Sequence, residues 1–259
     1  MAGISERPHS SLEYGTKLVR PREARWRFVL YPDAAEGGGS FRSSANEPGG
    51  GSFATQDPER TADDAARRAR SKVRRYCAAN RLNRLGTLTY AGAGNHDPRA
   101  LRSDLGEFFR RLRGSVGESF PYLWAPEWHP GGHGLHAHFA VGRWIAHGDI
   151  KRAWGRGFVH ITLLGDLPVG SGALGEARLA ARYLAKYVGK DLDRGGPSGL
   201  HRYEVAQGFQ PRGVPITGTS LDDVVGWAET YMGASAERVW RSRDEERWDG
   251  PPAVWASWA

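Results

Sequence analysis

Gly131–Val141 reads GGHGLHAHFAV, with His136-Ala137-His138 at its centre. In a β-strand successive side chains point to opposite faces, so residues two apart share one. His136 and His138 therefore stand side by side. Leu135, Ala137, Phe139 and Val141 look the other way, and all four are apolar. One face of this strand enters a core while the other presents two imidazoles, a base for a divalent metal. Pro121–Trp128 reads as the strand before it, and His129-Pro130-Gly131-Gly132 as the turn of an antiparallel hairpin. Glu127, on that earlier strand, is the candidate third ligand; His129 and His133 are its rivals.

The same reading extends outward. Arg84–Tyr90, RLGTLTY, is a strand by its β-branched and aromatic content. Asp97 and Pro98 open a helix as N-cap and first residue. Leu101, Leu105, Phe108, Phe109 and Leu112 form its buried stripe, and Gly114 is expected to end it. Asp149–Gly155 is a short helix and Gly157–Leu164 a strand. A glycine-rich loop at Gly165–Gly172 leads to a helix over Gly175–Gly189. The order is strand, helix, strand, strand, helix, strand, helix. That is the split βαβ pattern of ferredoxin-like folds. The expected class is α+β, an antiparallel sheet with helices on one face and the metal site on the open face, plus N- and C-terminal extensions.

The last of those helices contains ARYLAKYVGK, Ala181–Lys190. Tyr183, Lys186, Tyr187 and Lys190 fall at i, i+3, i+4 and i+7, on one face. Leu184 and Val188 lie on a neighbouring stripe that can pack. Two tyrosines and two lysines together are poor core material.

These segments resemble the three motifs of the HUH endonucleases. Thr87-Leu88-Thr89-Tyr90 is similar to the first, His136-Ala137-His138 to the second and Tyr183–Lys190 to the third. More narrowly, the chain resembles the rolling-circle replication initiators of plasmids and small single-stranded-DNA phages. Its two-tyrosine form is similar to the gene A initiator of isometric microviruses and to the initiators of actinobacterial plasmids and phages. The resemblance spans residues 84–190. It implies a nickase that cuts single-stranded DNA at an origin and rejoins it. A tyrosine attacks the scissile phosphate, keeps the 5′ end as a phosphotyrosine and frees a 3′-OH that primes a polymerase. Tyr183 and Tyr187 are the implied nucleophiles, and Lys186 and Lys190 would favour the phenolate or neutralise phosphate charge. A phenol titrates near ~10, so it needs such help. The alternative is that one tyrosine, Tyr183 first, only packs or binds substrate. Glu127 matches a carboxylate that many members carry beside the histidine pair. Two imidazoles and a carboxylate leave coordination positions open, and a phosphodiester favours Mg²⁺ or Mn²⁺ over zinc. Thr87 and Tyr90, in the first motif, are expected to be structural or DNA-contacting.

Composition narrows the remaining choices. The 259 residues can bury a sizeable core, and a net charge of +7 suits a polyanionic partner. Of 36 Lys and Arg only five are lysine, and two of those are Lys186 and Lys190. Cys77 is the single cysteine, so neither a disulfide framework nor a cysteine zinc site forms within the chain. A cytosolic location is expected. No apolar run approaches the ~18 residues of a membrane span. Gly189-Lys190 is followed by Asp191 and lacks the glycine spacing of a Walker A loop. Strand separation is thus expected to need a host helicase.

Residues 1–56 are expected to be a partly flexible N-terminal region, 57–190 the catalytic domain with a leading basic helix, and 191–259 a C-terminal extension packed on it. Within the first, Trp26–Tyr31 reads as a short strand without an obvious partner, and 34–56, rich in glycine and serine, as a loop or linker. The basic helix opens at Asp57-Pro58 or at Thr61 and runs to Asn80. From Ala65 to Arg84 it meets no acid, which suits both the helix dipole and phosphate contact. Ser220 is expected to cap a helix through LDDVVGWAETYM, and the tryptophans beyond it to pack rather than stack on bases. Three other readings stand beside the nickase. One is an HUH relaxase or transposase, one a non-catalytic DNA-binding protein of the same fold, and one a metal hydrolase that uses water.

Overall fold

A computed structural model describes residues 25–42, 58–163, 172–190, 203–248 and 250–259, with the side chains of 58–64, 163, 172 and 187–190 left out. Among the described residues, two five-stranded antiparallel sheets and five α-helices make an α+β fold. In chain order the elements begin with β1 (Arg25–Tyr31), β2 (Glu36–Arg42), α1 (Pro58–Ala79), β3 (Arg84–Tyr90) and α2 (Pro98–Val116). Next come β4 (Tyr122–Trp128), β5 (Leu135–Val141), α3 (His147–Trp154), β6 (Gly157–Leu163) and α4 (Gly172–Lys190). The last are β7 (Glu204–Val205), β8 (Val214–Gly218), α5 (Leu221–Met232), β9 (Arg238–Arg241) and β10 (Ala253–Ser257).

The sheet that carries the histidine pair has the order β6-β3-β5-β4-β7. From β3 to α4 the element sequence follows the split βαβ pattern. One face is apolar, with Leu88, Ala137, Phe139 and Trp124 packed under Leu101, Leu105, Phe108, Phe109 and Leu112 of α2 and Ile150 and Trp154 of α3. Asp97 caps α2 by accepting the Arg99 N–H at 2.8 Å. The helix runs through Gly114 and stops at Gly117, whose φ of 83° supplies the left-handed cap. A mid-helix glycine costs only about 1 kcal/mol, and Val116 beyond it packs on the core.

Helices also cover part of the opposite face, where none was expected. Leu85, Ala140, Leu123 and Ala125 lie on the histidine side of the sheet, and they are buried under Val73, Tyr76 and Cys77 of α1 and Ala180, Ala181 and Leu184 of α4. The reason is plain in the register: away from the histidines this face is apolar and must leave water. Burial pushes the Cys77 thiol up to about 12, which makes it an inert core residue.

The second sheet, β8-β1-β2-β10-β9, joins the first two described strands to three strands that follow α4. Trp26–Tyr31 finds its partners in β2 and in the distant β8. The expected linker at 34–56 is corrected over its first third: Glu36–Arg42 is a strand between β1 and β10. Its glycines are required by close packing. A Cβ on Gly37 would overlap the Phe28 ring, and one on Gly39 the Arg27 carbonyl oxygen. Gly39→Ala is therefore expected to lower unfolding stability in a denaturant titration by about 1–3 kcal/mol. An unchanged midpoint would mean that β1 and β2 can move apart at no cost. Asp57 and residues 43–56 lie outside the described residues, as does the loop at 164–171.

This sheet docks on α1 and α4. Glu36 is buried and accepts from Arg74 at 3.3 Å and Arg75 at 3.1 Å. Arg75 lies 3.8 Å over the Tyr31 ring and Arg74 5.3 Å over the Trp255 ring. Arg178 of α4 donates to the carbonyls of Ala35 and Trp258 at 3.1 and 2.8 Å. Two arginines of the basic helix are thus structural, while Arg67, Arg68, Arg70 and Lys72 are exposed. Trp258 is buried and its Nε1 donates to the Ala234 carbonyl at 2.9 Å. Ser220 and Asp223 form a reciprocal capping box at the start of α5. No helix among the described residues is long and apolar enough to cross a membrane.

Candidate metal centre

The hairpin β4–β5 sets the site. Its register opposes Glu127 to His136 and Ala125 to His138, so Glu127 joins the imidazoles on one face. The turn that joins the strands holds this register. The His129 N–H donates to the Gly134 carbonyl at 2.8 Å, and Leu135 N–H to the Asn95 carbonyl at 2.6 Å. Gly134 has a φ of 80°, and a Cβ there would overlap the Asn95 backbone, so only glycine fits.

Three ligand atoms converge. Glu127 Oε2 lies 2.9 Å from His136 Nε2 and 2.9 Å from His138 Nε2, and the two nitrogens are 3.1 Å apart. All three residues are buried, between 5 and 8 % exposed. This is a donor set that can hold a metal ion. The rival histidines have other partners. His133 Nε2 lies 3.3 Å from the Tyr90 carbonyl, and His129 Nδ1 accepts the Gly131 N–H at 3.1 Å. The His129 ring still stands 5.5 Å from that of His136, at the rim of the site.

Register also explains the first motif. Thr87 of β3 pairs with His138, and its Oγ1 lies 3.1 Å from His138 Nδ1. When Nδ1 carries the proton and donates it to Thr87, Nε2 keeps the lone pair that a metal needs. Tyr90, by contrast, is a core residue. Its hydroxyl donates to Asp104 at 2.7 Å and its ring packs edge-on to Trp154. Burial, then the Asp104 bond, pushes its phenol above the ordinary value. Strand alternation puts Thr87 on one face with Leu85 and Thr89, and the β3–β5 register makes that the histidine face.

Thr87→Val is expected to weaken Mn²⁺ binding about 10–100-fold while leaving the fold intact. Calorimetric titration checks this. Equal affinity in the variant would remove the orienting role.

Helix α4 brings the tyrosine motif to the same place. The Tyr183 ring lies 5.9 Å from the His138 ring, nearly perpendicular to it, and Tyr183 is 36 % exposed. Lys186 Nζ lies 5.8 Å from the centre of the Tyr183 ring. Tyr187 and Lys190 are on the last turns of α4; their side chains lie outside the described residues. Leu184 and Ala180 on the neighbouring stripe are buried, and they fix which face of α4 meets the sheet.

Residues 83–192 match the family model of the replication-associated protein ORF2. The matched span begins just before β3 and ends just after α4, so it contains the whole site. This similarity supports a part in replication initiation and, with it, DNA as the partner. No curated protein matches the chain, and no solved structure does.

Proposed function

We propose that the protein is a replication initiator that nicks single-stranded DNA at an origin through a 5′-phosphotyrosine and later rejoins it. The observation that carries this reading is Tyr183 beside His138. It sets a phenol from one element against a metal-ligand cluster built by two others. A hydrolase that uses water has no need of that phenol.

The ion is read as Mg²⁺ or Mn²⁺. Two imidazoles and a carboxylate would leave coordination positions open, and a phosphodiester substrate favours these oxygen-binding ions over zinc. When bound, such an ion polarises a non-bridging phosphate oxygen.

The chain's own residues do the rest. Glu127, His136 and His138 would hold the ion. The Tyr183 phenol gives up its proton and its oxygen bonds to phosphorus. The P–O3′ bond breaks, and the leaving oxygen takes a proton to become a free 3′-OH. One phosphoester replaces another, so the link keeps the bond energy for rejoining. Lys186, beside the ring, favours the phenolate or offsets phosphate charge. Tyr187, one turn on, attacks the junction made later while Tyr183 is occupied, with Lys190 in the role of Lys186. A host helicase and polymerase supply strand separation and synthesis.

The test is an adduct assay. The full chain is mixed with Mn²⁺ and labelled single-stranded DNA from its own replicon, and a denaturing gel is read for a DNA-shifted protein band. A band that vanishes on chelation is expected. Cleavage without a band would favour the hydrolase, and binding with neither would leave a DNA-binding module.

A further inference from the structure

The face that holds the metal ligands continues past them to the edge of the sheet. Register places Glu127, His136, Thr89 and Phe158 in one row across β4, β5, β3 and β6. Ala125, His138, Thr87 and His160 form the next row. Cross-strand partners share a face, so Phe158 and His160 stand on the metal side. Val159 and Ile161 point the other way and pack on the core under α2 and α3.

β6 ends the sheet, and Phe158, His160 and Thr162 are all exposed, Phe158 to 70 %. Among the described residues, the cluster buried under α1 and α4 includes none from β6. The fold gains nothing from a phenylalanine here, since Val159 and Ile161 already anchor the strand. Its place is informative nonetheless. Two strand spacings, about 10 Å, separate it from His136, close enough for one strand of DNA to span both.

We propose that Phe158 is a stacking platform for a base flanking the phosphate held at the metal centre. The inference rests on the nicking function proposed above and adds where the strand lies, across β3 toward β6. The surroundings choose the occupant. Among the described residues its neighbours on this face are His160 and Thr162 along β6 and Thr89 across it, so the ring stands among polar groups. That suits one planar base, whereas a protein partner favours a wider apolar patch. Stacking of this kind tolerates any base, because every base has a π-face.

The test uses the full chain and a labelled oligothymidylate of about 16 nucleotides, with binding read by fluorescence anisotropy at fixed salt. Phe158→Ala is expected to bind roughly tenfold more weakly than the parent chain. Phe158→Trp is expected to restore binding, and Phe158→Leu, apolar but without a π-face, is not. A strand of equal length without bases is expected to bind the parent and Phe158→Ala alike. The melting temperature of Phe158→Ala should match the parent, since the side chain is exposed. Equal binding of oligothymidylate by Phe158→Ala would overturn the platform, and so would a penalty that persists on the strand without bases. Failure of the parent chain to bind any single strand would instead overturn the nicking function, and the platform with it.

Discussion

Replacing both Tyr183 and Tyr187 with phenylalanine is expected to abolish the covalent protein–DNA adduct, at least about 10³-fold below the parent chain. The substitution removes one oxygen from each residue and keeps both rings. The edge contact of Tyr183 with His138 survives, as does the buried stripe of Ala180 and Leu184 that seats the helix. Metal binding should therefore be unchanged, because the phenols are not among the three ligand atoms, while the nucleophiles are lost. The single variants divide the work. Tyr183→Phe should lose the first adduct, because its ring lies 5.9 Å from that of His138. Tyr187→Phe should keep first cleavage and lose the later transfer. A full adduct in the double variant would end the tyrosine mechanism. Loss in Tyr187→Phe with none in Tyr183→Phe would reverse the order and make Tyr183 a binding residue.

The metal centre predicts an effect of similar size with a readout that does not depend on cleavage. A ligand that binds only the folded state at 100 times its dissociation constant adds about 2.7 kcal/mol of stability. Mn²⁺ should thus raise the melting temperature of the parent chain, and chelation should reverse the rise. Glu127→Gln keeps the shape of the side chain and removes the charge that faces two imidazole nitrogens at 2.9 Å. It is expected to weaken Mn²⁺ binding at least about 100-fold, beyond the range for an orienting partner, and to lose both the thermal shift and the adduct. His138→Ala should do the same. An undiminished Mn²⁺ shift in Glu127→Gln would show that the ion binds elsewhere.

Three pieces of the candidate site are legible in the sequence. The spacing of His136 and His138 settles their common face, because a strand repeats every two residues. The spacing of Tyr183, Lys186, Tyr187 and Lys190 does the same for a helix. Glu127 stood out as a carboxylate in the preceding strand, and the hairpin register joins it to the pair. The buried stripe of α2 and the caps Asp97 and Ser220 were equally readable, since each depends on neighbours within a few turns of chain.

Other features depended on pairs far apart in sequence. The linker assigned around Glu36–Arg42 failed because glycine content signals freedom only when nothing packs against it. Here Phe28 and the Arg27 carbonyl fill the space that a side chain would take. Arg74 and Arg75 suited both the helix dipole and phosphate contact by sequence, and Glu36, 38 and 39 residues away, takes them. Gly114 looked like a helix end because its cost is local, while the core contact of Val116 is not.

The sequence by itself determined the local periods, the order of elements from β3 to α4 and the residue types of the candidate site. Tertiary structure alone decided which strands meet. Thr87 could be assigned to His138, and Phe158 to the row of His136, only once β3 had taken its place between β5 and β6. It also joined β1 and β2 to β8, β9 and β10 in one sheet and covered the apolar part of the histidine face with α1 and α4. The physical reason is common to all of these. Periodicity tells a side chain which way to point, but the partner it meets is chosen by burial and register across the whole chain.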